Sequence, residues 1–167
     1  MISRKSWGEA ERLRKIGNTK YAKCLPLEAL KAYNEALSFL PAKTKPGDTL
    51  LALLLANRSL VLHQLGQHRA ALHDMKRSLE SGYPPSSAYK LYSRQASCFS
   101  SLGQEAVAAR CLERARGAAE LLQGEEREKA LRYLGQKSGA LSQAGTVEVQ
   151  EVVKIILTNS PLYFCPV

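Results

Sequence analysis

Five polar side chains, Arg14, Asn18, Asn57, Lys90 and Arg94, have the types and spacing to hold a carboxylate. A carboxylate accepts several hydrogen bonds while carrying one charge, so a receptor for it needs donors from more than one direction and a cation close by. Asn18 and Asn57 offer amide donors. Arg14 lies one helical turn before Asn18, and Lys90 one turn before Arg94, so each pair shares a face of its helix. Singly, each residue also has a structural explanation: Asn18 follows a helix glycine, Asn57 opens an Asn-Arg-Ser run, and Lys90 with Arg94 would make an ordinary solvated face. What sets the five apart is that they fall in register with a repeat.

The repeat shows in the alignment of Leu13-x-x-Ile16-Gly17 with Leu55-x-x-Arg58-Ser59 and Tyr92-x-x-Gln95-Ala96. Small residues follow at matching distances, as Ala29 and Ala36, Ala71 and Ser78, and Ala108 and Ala115. A small side chain is required wherever two helix axes cross closely, because a larger one would hold them apart. Gly66 and Gly103 break the chain between the helices of the second and third units, and Pro41 stops the second helix of the first. The units start near Ala10, Ala52 and Tyr89, spacings of 42 and 37. Pro- and Gly-containing turns at 42–47 and 81–85 account for the excess over ~34 residues.

Helical periodicity agrees. Leu27, Ala29, Leu30, Tyr33, Ala36, Leu37 and Leu40 recur at three and four, as on a helix buried along one side. Residues 50–56 are apolar all round and far shorter than the ~20 residues that span a bilayer, which predicts a central helix packed on both sides. Over residues 10–119 the chain resembles the tetratricopeptide repeat family, with Leu13, Ile16, Gly17, Ala29, Tyr33, Ala36 and Pro41 carrying the signature in the first unit. Ser59 and Ala96 replace the first-helix glycine in the other two units, and Met75 and Leu112 hold the second-helix aromatic position.

That resemblance implies an all-α fold, a superhelical stack of antiparallel helix pairs, with units at about 10–41, 48–80 and 87–119. It also implies that the first helix of each pair lines a concave face. The five polar residues resemble the clamp of chaperone-binding members, in which a Lys, Asn, Asn, Lys, Arg set holds the terminal carboxylate and last Asp of an acidic tail, here with Arg14 in place of the first Lys. A planar guanidinium there keeps the charge but changes the geometry. The implied partner is an acidic C-terminal peptide, such as that of the seventy- or ninety-kilodalton heat-shock chaperones.

A second resemblance covers residues 11–120. The stretches 53–59, 63–67, 81–84 and 94–98, with the Gly82-Tyr83-Pro84 turn the most specific, are similar to the repeat region of the fourth-member branch of the SET and MYND domain-containing lysine methyltransferases. That resemblance implies S-adenosylmethionine chemistry and a zinc module in the parent family. Neither is expected in this chain, because zinc modules need clustered Cys and His and a SET domain needs far more than the 48 residues after Ala119. The chain is therefore expected to be an isolated repeat region, a short isoform or an incomplete gene product, with no catalytic residue and no cofactor.

Composition supports one domain of 167 residues with 45% hydrophobic content, long enough for a continuous core. The net charge of +9 is concentrated in the repeats: Lys plus Arg outnumber Asp plus Glu by ten to four over 1–47 and six to three over 48–103, but balance at eight each over 104–167. Such a field favours encounter with acidic partners. Nucleic-acid binding is disfavoured by the lack of interleaved aromatics, and no small-molecule substrate is expected. No apolar run follows Met1, so no signal peptide or membrane anchor is expected.

Cys24, Cys98, Cys111 and Cys165 form no C-x-x-C pair, which predicts a reduced compartment, cytosol or nucleus, with Cys24 and Cys98 as packing residues. His63, His68 and His73 are spaced by five across the Gly66 turn, and the expectation is separate helix faces and no metal site. Residues 120–137 should form a helix covering the end of the array, 138–146 a small-residue linker, 147–158 a short amphipathic helix or strand, and 159–167 a disordered apolar tail.

Overall fold

Left-handed residues close each hairpin in the same way. In the computed structural model, which describes residues 4–40 and 49–144 with side chains over 6–40 and 49–136, the helices form three consecutive pairs and a seventh helix. The first pair is α1 (Arg4–Ala22) and α2 (Pro26–Ser38), the second α3 (Thr49–Gln64) and α4 (His68–Glu80), and the third α5 (Ala88–Ser101) and α6 (Glu105–Glu120). Helix α7 (Gly124–Ala144) follows, and a 3-10 turn over Pro85–Ser87 leads into α5. No strand occurs among the described residues.

Within each pair the amide three residues beyond the first helix reaches back five positions: Leu25 N–H to Lys20 O at 3.0 Å, Gln67 N–H to Leu62 O at 2.8 Å, and Gln104 N–H to Phe99 O at 2.8 Å. This bond needs a left-handed residue just before the amide. Gly66 (φ 74°) and Gly103 (φ 72°) supply it, and in the first unit Cys24 takes the same conformation at φ 58°. A side chain there is strained, so the equivalence of the first turn is invisible to a search for glycine.

The small residues sit where the helices cross. Ala29, Ala36, Ala71, Ser78, Ala108 and Ala115 are all buried. Ser78 also donates its hydroxyl to Ala52 O at 2.7 Å, so a polar side chain costs nothing at that crossing. Helix α3 lies in the middle and contacts α1, α2, α4 and α5. That position explains its apolar surround: Leu51, Leu54, Leu55, Val61 and Leu62 are all buried. Arg58 of α3 makes a bidentate pair with buried Asp74 of α4 at 2.6 and 2.7 Å, and its third nitrogen donates to Asn34 Oδ1 of α2 at 3.0 Å. One guanidinium thus ties two pairs together.

Two element bounds differ from expectation. Helix α1 starts at Arg4 rather than near residue 10, since Trp7 packs on the first core cluster and extends the buried face. Helix α7 runs on to Ala144, through the expected linker at 138, because Leu141, Gln143 and two alanines favour helix and no proline interrupts them. Ala130 and Leu134 of α7 are buried against Tyr89, Ala115 and Ala119, so this helix covers the open end of the third pair. The segments expected at 147–158 and 159–167 lie outside the described residues. No described helix is long and apolar enough to cross a membrane.

Candidate functional site

The first helices of the pairs adjoin one another, α3 contacting both α1 and α5, and bring Asn18 to Asn57 and Arg94 to the α3 residues beside Asn57. Asn57 Nδ2 donates to Asn18 Oδ1 at 2.9 Å, and the Tyr33 hydroxyl donates to the same oxygen at 2.8 Å. With both lone pairs of that oxygen occupied, the Asn18 amide is fixed with its Nδ2 hydrogens directed away. Those hydrogens have no acceptor among the described residues. Helix α1 approaches α2 closely enough for this contact because residue 17 is glycine: a Cβ there would stand 2.4 Å from Tyr33 Cε1.

Arg94 projects from α5 beneath this pair. Its Nη1 donates to Ala56 O at 3.0 Å and to Ser59 Oγ at 2.9 Å, both on α3 beside Asn57. Burial pulls its pKa below the ordinary guanidinium range, yet an arginine at neutral pH keeps its charge. Tyr133, Tyr83 and Tyr21 are the principal groups whose fields reach it. These tyrosines come from α7, the turn after α4 and the end of α1. Among the described residues no carboxylate pairs with Arg94, so a partly buried cation has neutral acceptors alone.

The other two cations differ from each other. Lys90 is exposed one turn earlier on α5, its ammonium 5.7 Å from the Tyr89 ring centroid, and no carboxylate pairs with it among the described residues. Arg14 is instead held by Glu11 through two 2.7 Å bonds, Nε to Oε2 and Nη2 to Oε1. That hydrogen bond raises the Arg14 pKa and lowers that of Glu11. Arg14 therefore already has its counter-ion on its own helix. The Glu11–Arg14 spacing was visible in the sequence as an i,i+3 pair. The tyrosines around Arg94 carried no such local signal.

The histidine expectation requires correction. The Gly66 turn folds α4 back so that His63 Nδ1 and His68 Nδ1 stand 3.3 Å apart, with Cys98 Sγ of α5 also 3.3 Å from His63 Nδ1. A left-handed turn returns the chain on itself, so a spacing of five across it brings side chains together where an unbroken helix would separate them. His73 stays apart and exposed, 3.9 Å from Asp74 Oδ1.

No family model matches the chain. A 91-residue stretch is 33% identical to the protein-lysine N-methyltransferase SMYD4 of Gallus gallus, covering 54% of this chain and 12% of that protein. The chain thus spans only about an eighth of that relative's length. The N-terminal domain of stress-induced protein-1 (STI-1) from C. elegans superposes with a TM-score of 0.57 at 16% identity, covering 80% of this chain and 99% of that one. The TPR2AB domain of yeast Sti1, solved as a complex with pHSP90, superposes at 0.54 and 16% identity, covering 89% and 54%. These likenesses establish the fold as a tetratricopeptide-repeat stack. The sequence similarity agrees with the resemblance to the SMYD4 repeat region.

Proposed function

We propose that this tetratricopeptide-repeat stack is a protein-interaction module whose α1–α3–α5 wall receives the terminal carboxylate of an acidic peptide. The observation that carries the reading is Arg94: a partly buried guanidinium with two neutral acceptors and no carboxylate among the described residues. A partly buried charge gains from an opposite charge that compensates its lost hydration, and a peptide carboxylate would supply one. Lys90, exposed one turn before Arg94, would receive a second acidic group, and the Asn18 and Asn57 amides offer further donors. Arg14, engaged by Glu11, contributes least. The Sti1 structure with pHSP90 supports a chaperone tail as the peptide.

The test is titration of a short acidic peptide ending in a free carboxylate, against the same peptide amidated. Charge-assisted hydrogen bonds contribute about 1.5–3 kcal/mol each, so Lys90→Ala should weaken binding roughly tenfold or more. Arg94→Ala should weaken it at least as much, and Arg14→Ala less. Equal affinity for the amidated peptide, or unchanged affinity in both Lys90→Ala and Arg94→Ala, would reject the proposal.

The similarity to SMYD4 favours a second reading, in which the same wall serves as the non-catalytic repeat region of a lysine methyltransferase. An open frame beyond residue 167 encoding a Cys-rich module would favour it. Neither reading gives these repeats chemistry of their own.

A further inference from the structure

We propose that His63, His68 and Cys98 form a binding site for a thiolate- and imidazole-preferring d10 cation, Zn2+ or Cu+, at the junction of the second and third helix pairs. The three donors come from the end of α3, the first residue of α4 and the last turn of α5, and their ligand atoms all lie within 4.8 Å of one another. In a tetrahedral centre with metal–nitrogen bonds of ~2.0–2.1 Å, two imidazole nitrogens stand ~3.3–3.4 Å apart. The observed Nδ1–Nδ1 separation is 3.3 Å.

Two neighbours compete for one position on His63 Nδ1. His63 Nδ1 faces both the Cys98 thiol and His68 Nδ1 at 3.3 Å, but a neutral imidazole nitrogen has either one lone pair or one hydrogen to offer. If it accepts from the thiol it cannot also accept well from His68; if it donates to His68, the thiol sulfur is left as only a weak second acceptor. A cation placed between the three atoms uses one lone pair from each.

Cys98 is fully buried whereas both imidazoles are partly exposed, so a metal would enter past the histidines and meet the sulfur last. Burial pushes the Cys98 thiol up to about 11, and coordination must displace its proton to solvent, leaving a metal–thiolate bond and one released proton. With Zn2+ the centre carries one positive charge and has a position left for water. With Cu+ it is neutral and three-coordinate. Arg94, whose field reaches Cys98, favours the neutral centre.

Titration of the full chain, reduced and stripped with a chelator, should be run separately with Zn2+ and, anaerobically, with Cu+. The expected result is one equivalent bound by at least one of them, with a rise in melting temperature and release of one proton. Cys98→Ser and His68→Ala should each weaken binding on the order of 100-fold or more, since even outer-shell partners of metal ligands cost 10–100-fold. Cys111→Ser and His73→Ala should bind normally. Co2+ in place of Zn2+ should show a thiolate charge-transfer band that Cys98→Ser lacks. Should Cys98→Ser fail to fold, partly exposed His68 decides the matter. No stoichiometric binding, or binding that His68→Ala leaves unchanged, overturns the assignment.

Discussion

Replacing Gly17 with alanine tests whether the close approach of α1 to α2 sets the geometry of the wall. The added Cβ would lie 2.4, 2.7 and 2.9 Å from Cε1, Cδ1 and Cζ of Tyr33. Ordinary contact begins near 3.4 Å, so the ring must retreat by about 1 Å. It has little room, since Tyr33 is 2% exposed and its hydroxyl is bound to Asn18. Overpacking of this kind costs about 1–3 kcal/mol, and loss of the hydroxyl bond adds about 1 kcal/mol. The better helix propensity of alanine returns about 1 kcal/mol. The net expectation is a loss of about 1–3 kcal/mol.

Gly117, in the last turn of α6, provides the control because a Cβ there meets nothing within 4 Å. Gly117→Ala should stabilise by up to about 1 kcal/mol from propensity alone. Urea unfolding reads both: with m of about 1–3 kcal/mol/M, the Gly17→Ala midpoint should fall by roughly 1 M while that of Gly117→Ala rises. If Gly17→Ala matched or exceeded the wild-type midpoint, the inferred contact with Tyr33 would be wrong. Its effect on Asn18 would then need another cause.

Arg58→Ala should destabilise by about 3–5 kcal/mol, because it strands the Asp74 carboxylate, which is 2% exposed, without its bidentate partner. The double variant Arg58→Met with Asp74→Leu should recover most of that loss in the same urea assay, and a single-variant cost below about 1 kcal/mol would contradict the assignment. Burial raises the Tyr33 phenol from 10.0 to about 12. The folded state therefore keeps a proton that the unfolded chain has lost between those values, so this stabilising contribution is complete below pH 10.0 and is lost as pH rises to about 12. Unfolding measured across that window should show the decline in the wild type and a shallower one in Tyr33→Phe. Identical slopes would remove Tyr33 as its source.

The hairpins were legible because their determinants are local. Three-four apolar spacing, small residues at the crossings and glycine at the turns act through backbone sterics over a few positions, and Ala29, Ala71 and Ala108 are buried as that logic requires. Cys24 escaped it, since only the structure shows a side chain in the left-handed position that Gly66 and Gly103 occupy in the other pairs. The far bound of α7 escaped for the opposite reason. Residues 138–144 contain small and polar side chains compatible with either linker or helix, and composition did not separate the two.

Residue identity alone determined which side chains have the donors and charges for an anion, and the repeat register determined that they fall on the first helices. Tertiary structure decided which of those charges is already compensated. Arg14 is paired with Glu11, while Arg94 is partly buried beside Asn57 with neutral oxygens as its acceptors. It also decided that His63, His68 and Cys98 meet, although Cys98 is 35 residues from His63 along the chain. Pairing and desolvation depend on distances through space between helices, and a linear pattern that repeats along the chain does not contain those distances.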